Sequence, residues 1–267
     1  MTRRTLALPI ALLALLALPA AASAKAAITM SGSTSVYPLA VKLAKSYLKA
    51  KPGAAQFRVL QGGSDIGVND VSRGRVTFGM SSRDPQSSDP GGLTFNKIAR
   101  DGVCIVTNPA NPLANVSQAT VQAVFSGRIR NWKDVPGAKI SGPIDLVTRT
   151  PASGTADAFQ NIFMGLNLRV AGNASQKASN GLVEQAVRSN RSAIAYIDFK
   201  FTGGTAIAPY QGVPCNLRNA KSGQYQGVRN FWLVTRGKAA GPAAQFLRWA
   251  QGSAGQRVVA SGWVSLR

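Results

Sequence analysis

Residues 27–39 of the chain read AITMSGSTSVYPL, which is a strand, a polar loop and the start of a helix. The apolar run Ala27–Met30 is typical of a buried strand. Gly32-Ser33-Thr34-Ser35 then supplies small residues that suit a tight loop. From Val36 to Leu48, apolar side chains recur at the three- and four-residue spacing of a helix. The stretch therefore predicts a β-loop-α unit, the building block of α/β proteins.

The same alternation continues along the chain. Further β-type runs occur at 57–60, 76–80, 103–107, 144–148, 193–197 and 231–234. Helical spacing of apolar residues occurs at 116–125, 159–166, 182–187 and 246–250. Strands that alternate with helices favour parallel pairing, because parallel neighbours need a crossover connection between them. We therefore predict an α/β protein with mixed, mainly parallel sheets.

The length of the chain leaves two arrangements open. Residues 25–267 suffice for one large domain or for two lobes, each with a core of its own. Turn-rich stretches at 108–115 and 210–227 are candidate crossings between lobes. On the two-lobed interpretation, lobe 1 spans 25–107, lobe 2 spans 108–208, and 209–267 return to lobe 1.

The N-terminus has the layout of a secretory signal peptide. Arg3 and Arg4 give a positive start, Leu6–Ala22 carries no charge, and Ala22-Ser23-Ala24 is a cleavage site of the small-x-small type. The apolar run is short for a membrane anchor. We predict a signal peptide at 1–24, cleavage after Ala24, and a mature protein in the periplasm.

The chain is strongly basic. Its formal net charge of +21 becomes +19 once Arg3 and Arg4 are removed. Such a charge favours anionic partners, including small anions, nucleic acids and acidic polysaccharides. The alternative is a solvated basic surface without a single partner. The basic residues are scattered, which is not the pattern of a dedicated single-strand nucleic-acid binder.

Histidine is absent and cysteine occurs twice. The chain therefore lacks the commonest general base and the commonest metal ligand. Cys104 and Cys215 are too few for a thiolate metal cage. In an oxidising compartment we expect them to form a disulfide, and two buried free thiols are the alternative.

Three segments place hydroxyl and glycine residues between a strand and a helix. They are Gly32-Ser33-Thr34-Ser35, Gly62-Gly63-Ser64-Asp65, and Ser153-Gly154-Thr155 with Arg149 before it. Glycine lets a backbone approach a ligand, hydroxyls donate hydrogen bonds, and the first N–H groups of a helix lack partners within it. Each segment alone is also consistent with an ordinary N-cap. Three together favour a shared oxyanion site.

Arg149 and the segment that follows the predicted strand 76–80 each allow a ligand-binding and a structural interpretation. Arg149 is suited to a two-pronged, charge-assisted bond to an oxyanion, or else to a surface ion pair. Ser81-Ser82-Arg83-Asp84 follows the predicted strand 76–80. The ends of parallel strands are where α/β proteins place ligands. A plain polar turn that ends at Pro85 is the competing interpretation.

Taken in order, these motifs resemble the periplasmic phosphate-binding proteins of bacterial ABC phosphate importers. The resemblance covers nearly all of 25–267 and rests on GSTSVYPL at 32–39, GGS at 62–64, FGMSSR at 78–83, DGV at 101–103, Arg149 with SGT at 153–155, and AIAY at 193–196. It implies a two-lobed, flytrap-like α/β fold with phosphate in the cleft between the lobes. It also implies an ABC permease as the membrane partner and no cofactor.

Carried over by position, the resemblance implies a set of phosphate-binding residues. Those of lobe 1 are Thr34, Ser35, Ser64, Ser82 and Arg83, and those of lobe 2 are Arg149, Ser153, Gly154 and Thr155. The family often has an aspartate where this chain has Ser82. That aspartate accepts a proton from phosphate and repels sulfate, so selectivity must arise elsewhere here. Asp65 is the candidate replacement, and helix capping is its competing role.

The sequence leaves three candidate functions open. The first is a monomeric binding protein that captures inorganic phosphate and feeds an ABC importer. The second is a secreted phosphatase on the same scaffold, which needs an activated nucleophile or a metal. The third is a surface or matrix protein that holds polyanions through its charge.

Overall fold

The structure of the protein, a computed structural model, describes residues 26–266. The predicted signal peptide at 1–24 lies outside the described residues. Within the described part, no helix combines the length and the apolar composition needed to cross a bilayer. The strands and helices in chain order are β1 Ala27–Gly32, α1 Tyr37–Ala50, β2 Gln56–Gln61, α2 Ser64–Ser72, β3 Phe78–Ser81, β4 Leu93–Thr107, α3 Gln118–Phe125, β5 Asp145–Arg149, α4 Gly154–Phe159, β6 Ser175–Lys177, α5 Asn180–Ser189, β7 Ala193–Asp198, β8 Ala206–Ala208, α6 Leu217–Ser222, β9 Val228–Arg236, α7 Gly241–Gln251 and α8 Ser253–Ala260.

One sheet runs through the molecule in the order β2-β1-β3-β9-β4-β7-β5-β6, with β8 paired to β4. Among the described strands, four pairings are parallel and four are antiparallel. The parallel pairs all involve β1 or β5, while the antiparallel pairs all involve β4 or β9. The predicted α/β fold with a mixed sheet is confirmed. Parallel pairing does not predominate, because β4 and β9 run against their neighbours.

Strand β4 belongs to both halves of the molecule. Leu93–Gly102 pairs with β9, whereas Val103–Thr107 pairs with β7. The chain therefore passes from one half to the other in the middle of a strand. It returns at the start of β9, where the N–H of Val103 donates to the carbonyl of Gly227 at 2.8 Å.

Two hydrophobic cores lie on either side of this junction. The first draws its buried residues from positions 28–99 and 231–263, with Tyr47, Phe78 and Phe246 among the largest. The second draws them from 103–225, including Trp132 and Phe159. We call the halves around these cores lobe 1 and lobe 2. The predicted limits at 107/108 and 208/209 remain predictions, and the core packing favours limits within 100–102 and 226–230.

Cys104 and Cys215 form a disulfide with their Cα atoms 5.6 Å apart, as predicted. Cys104 lies in β4 and Cys215 lies just before α6. Both side chains are buried in the second core. The bond therefore closes a long loop within lobe 2 and does not link the two lobes.

Candidate anion-binding site

Loops from both lobes bring five hydroxyl side chains to one place. Thr34 and Ser35 precede α1, Ser64 opens α2, Ser82 follows β3, and Thr155 lies in the first turn of α4. Each is at most 4% exposed. We call these five residues the hydroxyl cluster. Buried hydroxyls need hydrogen-bond partners, and here several of them partner one another.

The contacts of the hydroxyl cluster cross between the lobes. Ser35 Oγ of lobe 1 lies 3.2 Å from Thr155 Oγ1 of lobe 2. Within lobe 1, Ser82 Oγ lies 3.3 Å from Ser64 Oγ, which also accepts the N–H of Ser82 at 3.0 Å. Ser33 adds a hydroxyl that donates to Ser82 Oγ at 2.8 Å. Four segments that the sequence singled out separately thus meet in space.

Gly154 allows this close approach of the lobes. A Cβ atom at position 154 would collide with Ser64 Oγ, and it would lie 2.7 Å from Ser82 Oγ and 2.8 Å from the N atom of Arg83. All three neighbours belong to lobe 1, whereas Gly154 belongs to lobe 2. A side chain there would hold the lobes apart.

Arg149 reaches the hydroxyl cluster from the end of β5 and is 3% exposed. Its guanidinium donates to Thr34 Oγ1 at 3.3 Å, to Asn180 Oδ1 at 3.0 Å and to Thr155 Oγ1 at 3.5 Å. Burial, aided by the positive charge of Arg229, lowers the pKa of Arg149 to about 10. The group remains a cation at neutral pH, in contact with side chains of both lobes.

Asn180, for which no role was predicted, links Arg149 to the cluster. It is fully buried, and its Nδ2 donates to Ser35 Oγ at 2.8 Å and to Thr34 Oγ1 at 3.1 Å. In the sequence it stands beside Ser179, the N-cap of α5. A polar residue at a helix start is common, so the local sequence gave no signal of this role.

A second buried arginine, Arg229, approaches the cluster at the start of β9. It donates to Thr155 Oγ1 at 2.7 Å and to Ser35 Oγ at 2.8 Å. The same guanidinium forms ion pairs with Asp101 at 3.2 Å and with Asp198 at 3.1 Å. Arg229 therefore joins hydroxyls of both lobes to two carboxylates behind them.

The two carboxylates are fully buried. Burial, and after it the negative charge of Asp198, raise the pKa of Asp101 well above its usual range. Within the described part of the chain, Asp101 Oδ1 and Arg229 Nε have no hydrogen-bond partner. The surroundings of the hydroxyl cluster thus hold two arginines and two acidic groups, of which Asp101 resists ionisation.

No role was predicted from the sequence for Arg229, Asp101 or Asp198, although a weak signal was present. Arg229 stands just before the apolar strand 231–234, and Asp198 stands just after the apolar run 193–197. A charged residue next to a buried strand is placed near the core, where an unpaired charge is costly. That signal indicates a partner but does not identify it.

Arg83 is buried, but its guanidinium points away from the hydroxyl cluster. Nε donates to Asp65 at 2.7 Å, and the terminal nitrogens donate to Asp89 at 3.0 and 2.6 Å. Burial by itself would lower the pKa of Arg83, but the hydrogen bonds and charges of Asp89 and Asp65 raise it above its ordinary value. The carboxylate of Asp65 likewise faces Arg83.

Ser153 acts as the N-cap of α4. Its Oγ accepts the N–H groups of Thr155 at 3.2 Å and of Ala156 at 3.4 Å. Of the residues predicted for the site, the structure brings together Thr34, Ser35, Ser64, Ser82, Arg149, Gly154 and Thr155. Ser153 holds the start of α4 behind them, and the Arg83 side chain is engaged in ion pairs.

Comparison with known proteins gives consistent matches. A family model described as a PBP superfamily domain matches residues 19–253. The phosphate-binding protein PstS of Bacillus subtilis is 27% identical over 229 residues, covering 84% of this chain and 75% of that protein. A solved structure of a putative phosphate ABC transporter substrate-binding protein with bound phosphate, from Clostridium perfringens, is similar with a TM-score of 0.84. It has 28% identity and covers 90% of this chain and 100% of that one. An ABC-type phosphate transport receptor from Vibrio cholerae has a TM-score of 0.72 and 27% identity, with 89% and 99% covered.

Proposed function

We propose that this chain, which belongs to the PBP superfamily, captures inorganic phosphate between its lobes and delivers it to an ABC importer. The observation that carries the proposal is the hydroxyl cluster itself. Five buried hydroxyls from both lobes meet beside buried Arg149. The names of the relatives, which include phosphate-binding proteins and a phosphate transport receptor, support the same ligand.

The chemistry of the cluster suits a tetrahedral oxyanion. Hydroxyls that accept hydrogen bonds from arginine, as Thr34 and Thr155 do from Arg149, still have their own protons to donate. Phosphate oxygens each accept more than one hydrogen bond, and a buried guanidinium adds a charge-assisted bond. In this proposal Thr34, Ser35, Ser64, Ser82 and Thr155 donate to the anion, and Arg149 offsets its charge.

Capture follows from closure of the lobes around the anion. In the structure the lobes touch beside the cluster, where the N–H of Asp65 donates to the carbonyl of Ala152 at 3.2 Å. Gln86 Nε2 also donates to Asp157 Oδ1 at 2.7 Å. A ligand that contacts both lobes stabilises the closed arrangement over an open one. The permease would then bind the closed form.

The predicted location and further partners belong to the same proposal. A signal peptide cleaved after Ala24 would place the mature protein in the periplasm, as a monomer. Its high net charge would also hold polyanions weakly on the surface, with a strong dependence on salt. Retention on heparin that added phosphate does not displace would separate this surface binding from the cleft.

We further propose that the protein binds phosphate without turning over esters. The side chains in and around the hydroxyl cluster are hydroxyls, an amide, arginines and the acid pair that holds Arg229. The sequence contains no histidine to act as a general base. A sustained release of phosphate from p-nitrophenyl phosphate, by protein freed of metal ions, would favour a phosphatase instead.

Calorimetric titration tests the proposed function directly. Bound anion is first removed by partial unfolding and dialysis, and the refolded protein is titrated with phosphate, sulfate, molybdate and methylphosphonate. We expect saturable binding of one phosphate per chain. Absence of phosphate binding by protein with a native circular dichroism spectrum would refute the proposal.

A further inference from the structure

Two buried arginines, Arg83 of lobe 1 and Arg229 at the junction of the lobes, have different surroundings. Arg83 gives its side-chain nitrogens to the carboxylates of Asp65 and Asp89 and to one backbone carbonyl. These partners explain the burial of the Arg83 guanidinium by a structural role in ion pairs alone. Arg229 divides its donors between two carboxylates and hydroxyls of the cluster. A purely structural role does not explain why its donors reach hydroxyls of both lobes.

The position of Arg229 relative to Arg149 also indicates a role beyond a structural one. Both guanidinium groups donate to Thr155 Oγ1, at 2.7 Å from Arg229 and at 3.5 Å from Arg149. Two cations that share one hydroxyl in a buried place repel each other. An anion held by the same hydroxyl would offset that repulsion, because it would attract both.

Asp101 and Asp198 hold Arg229 without using all its hydrogen-bonding capacity. Both carboxylates accept hydrogen bonds from the same terminal nitrogen, Nη2, which also donates to Ser35 Oγ at 2.8 Å. The other terminal nitrogen, Nη1, donates to Thr155 Oγ1 at 2.7 Å and to Ser82 Oγ at 3.4 Å. The acids therefore engage only one of the three guanidinium nitrogens. Nη1 is turned toward residues proposed to bind phosphate, and Nε has no hydrogen-bond partner within the described part of the chain.

We propose that Arg229 is a second anion-binding arginine, which contacts the captured oxyanion from the junction of the lobes while Asp101 and Asp198 fix its position. This inference rests on the proposed function. It assigns the site two cationic ligands, Arg149 from lobe 2 and Arg229 from the junction. The oxyanion would then contact lobe 1, lobe 2 and the strand that connects them.

Substitution of Arg229 tests this assignment, with phosphate as the probe. Arg229→Gln alone leaves two buried acids without a cation and risks unfolding. Arg229→Gln combined with Asp198→Asn removes one positive and one negative charge and keeps the junction balanced. We expect this double variant to fold and to bind phosphate at least about 30-fold more weakly than the wild type, as loss of a buried charge partner implies. Arg75→Gln combined with Asp70→Asn, which removes an ion pair at an exposed arginine and likewise leaves the net charge unchanged, is the matched control.

The outcomes separate the inference from the proposed function. If the wild type binds phosphate and the folded double variant binds it within threefold of the wild type, Arg229 is structural and the inference is wrong. If the wild type itself binds no phosphate, the proposed function fails first. Arg229→Lys with native Asp198 keeps the charge and should bind more tightly than the double variant. If it binds no better, Arg229 positions Ser35 and Thr155 and does not attract the anion.

Discussion

The donors of Arg149 spread over side chains of both lobes, so its removal takes away charge and several hydrogen bonds together. We expect Arg149→Ala to weaken phosphate binding by about 2–5 kcal/mol, the range for truncating one partner of a buried charge pair. The fold should survive, because Arg149 forms no ion pair among the described residues. Titration calorimetry measures the loss, and thermal unfolding without phosphate checks the fold. An unchanged affinity would remove Arg149 from the site.

Selectivity at this site depends on what Ser82 faces. Its side chain is 1% exposed and lies 3.3 Å from Ser64 Oγ and 3.4 Å from an Arg229 nitrogen. A carboxylate in its place would repel fully ionised sulfate and accept a proton from phosphate. Ser82→Asp should therefore raise the ratio of phosphate to sulfate affinity, measured by titration with both anions at one pH.

Asp65 provides the matched comparison. Its carboxylate bonds Arg83 and its side chain is 40% exposed, so it is not placed to discriminate between anions. Asp65→Asn should leave the ratio of phosphate to sulfate affinity unchanged. A rise in sulfate affinity in this variant, with no response to Ser82→Asp, would mean that our interpretation of these two residues is inverted.

For single residues, sequence patterns identify side chains whose role depends on near neighbours in the chain. They miss side chains whose partners lie far away in the chain. Thr34, Ser64 and Thr155 were identifiable, because a hydroxyl between a strand and a helix is visible within a few residues. The partners of these hydroxyls were not. Arg229 lies 194 residues from Ser35, and Asn180 lies 145 residues from it. No short-range pattern links positions so far apart.

Among the structural elements, strands with continuous apolar sequence were predictable and strands with mixed sequence were not. The prediction of 103–107 captured the last third of β4, which is fully buried. The rest of β4 contains Lys97 and Arg100 and a bulge at Lys97/Ala99, so it lacks a clean alternation of apolar residues. β6 and β8 have three residues each, too few for a periodic pattern.

The start of α4 offers a test of closure that leaves the anion ligands intact. In Gly154→Ala, the added methyl group would meet Ser64 and Ser82 of the other lobe. Overpacking of this kind typically costs about 1–3 kcal/mol, and here it opposes closure alone. We expect phosphate affinity to fall by roughly 5- to 150-fold, while the unfolding midpoint without phosphate changes little. Unaltered affinity would show that the lobes need not approach so closely.

The disulfide joins β4 to the segment before α6 and encloses a long loop. Cys104→Ala with Cys215→Ala should lower the free energy of unfolding by about 4–5 kcal/mol, since the unfolded chain regains the entropy of that loop. Urea unfolding followed by circular dichroism measures the change. Because both cysteines are buried in the core of lobe 2 and are not among the proposed anion ligands, phosphate affinity of the folded variant should stay within a few-fold of the wild type.

For the molecule as a whole, two cores share one strand. The sequence indicated two lobes through its turn-rich stretches and its resemblance to a known family, but it placed the crossing in a turn. The core packing instead favours a crossing inside β4, whose two ends pair with strands of different lobes. A turn is the usual place for a domain limit. A strand that changes partners halfway leaves no mark in local composition.

Because β4 joins the lobes and the proposed anion would contact both of them, phosphate should stabilise the molecule as a unit. At free phosphate about 100 times its dissociation constant, linkage adds about 2.7 kcal/mol to the free energy of unfolding. For a chain of this length that raises the thermal midpoint by roughly 5–11 °C. Scanning calorimetry should show one transition that moves to higher temperature, and Arg149→Ala at the same phosphate concentration should lose most of the shift. Two transitions, of which phosphate moves one alone, would mean that the anion contacts a single lobe, and the proposed capture between lobes would be wrong.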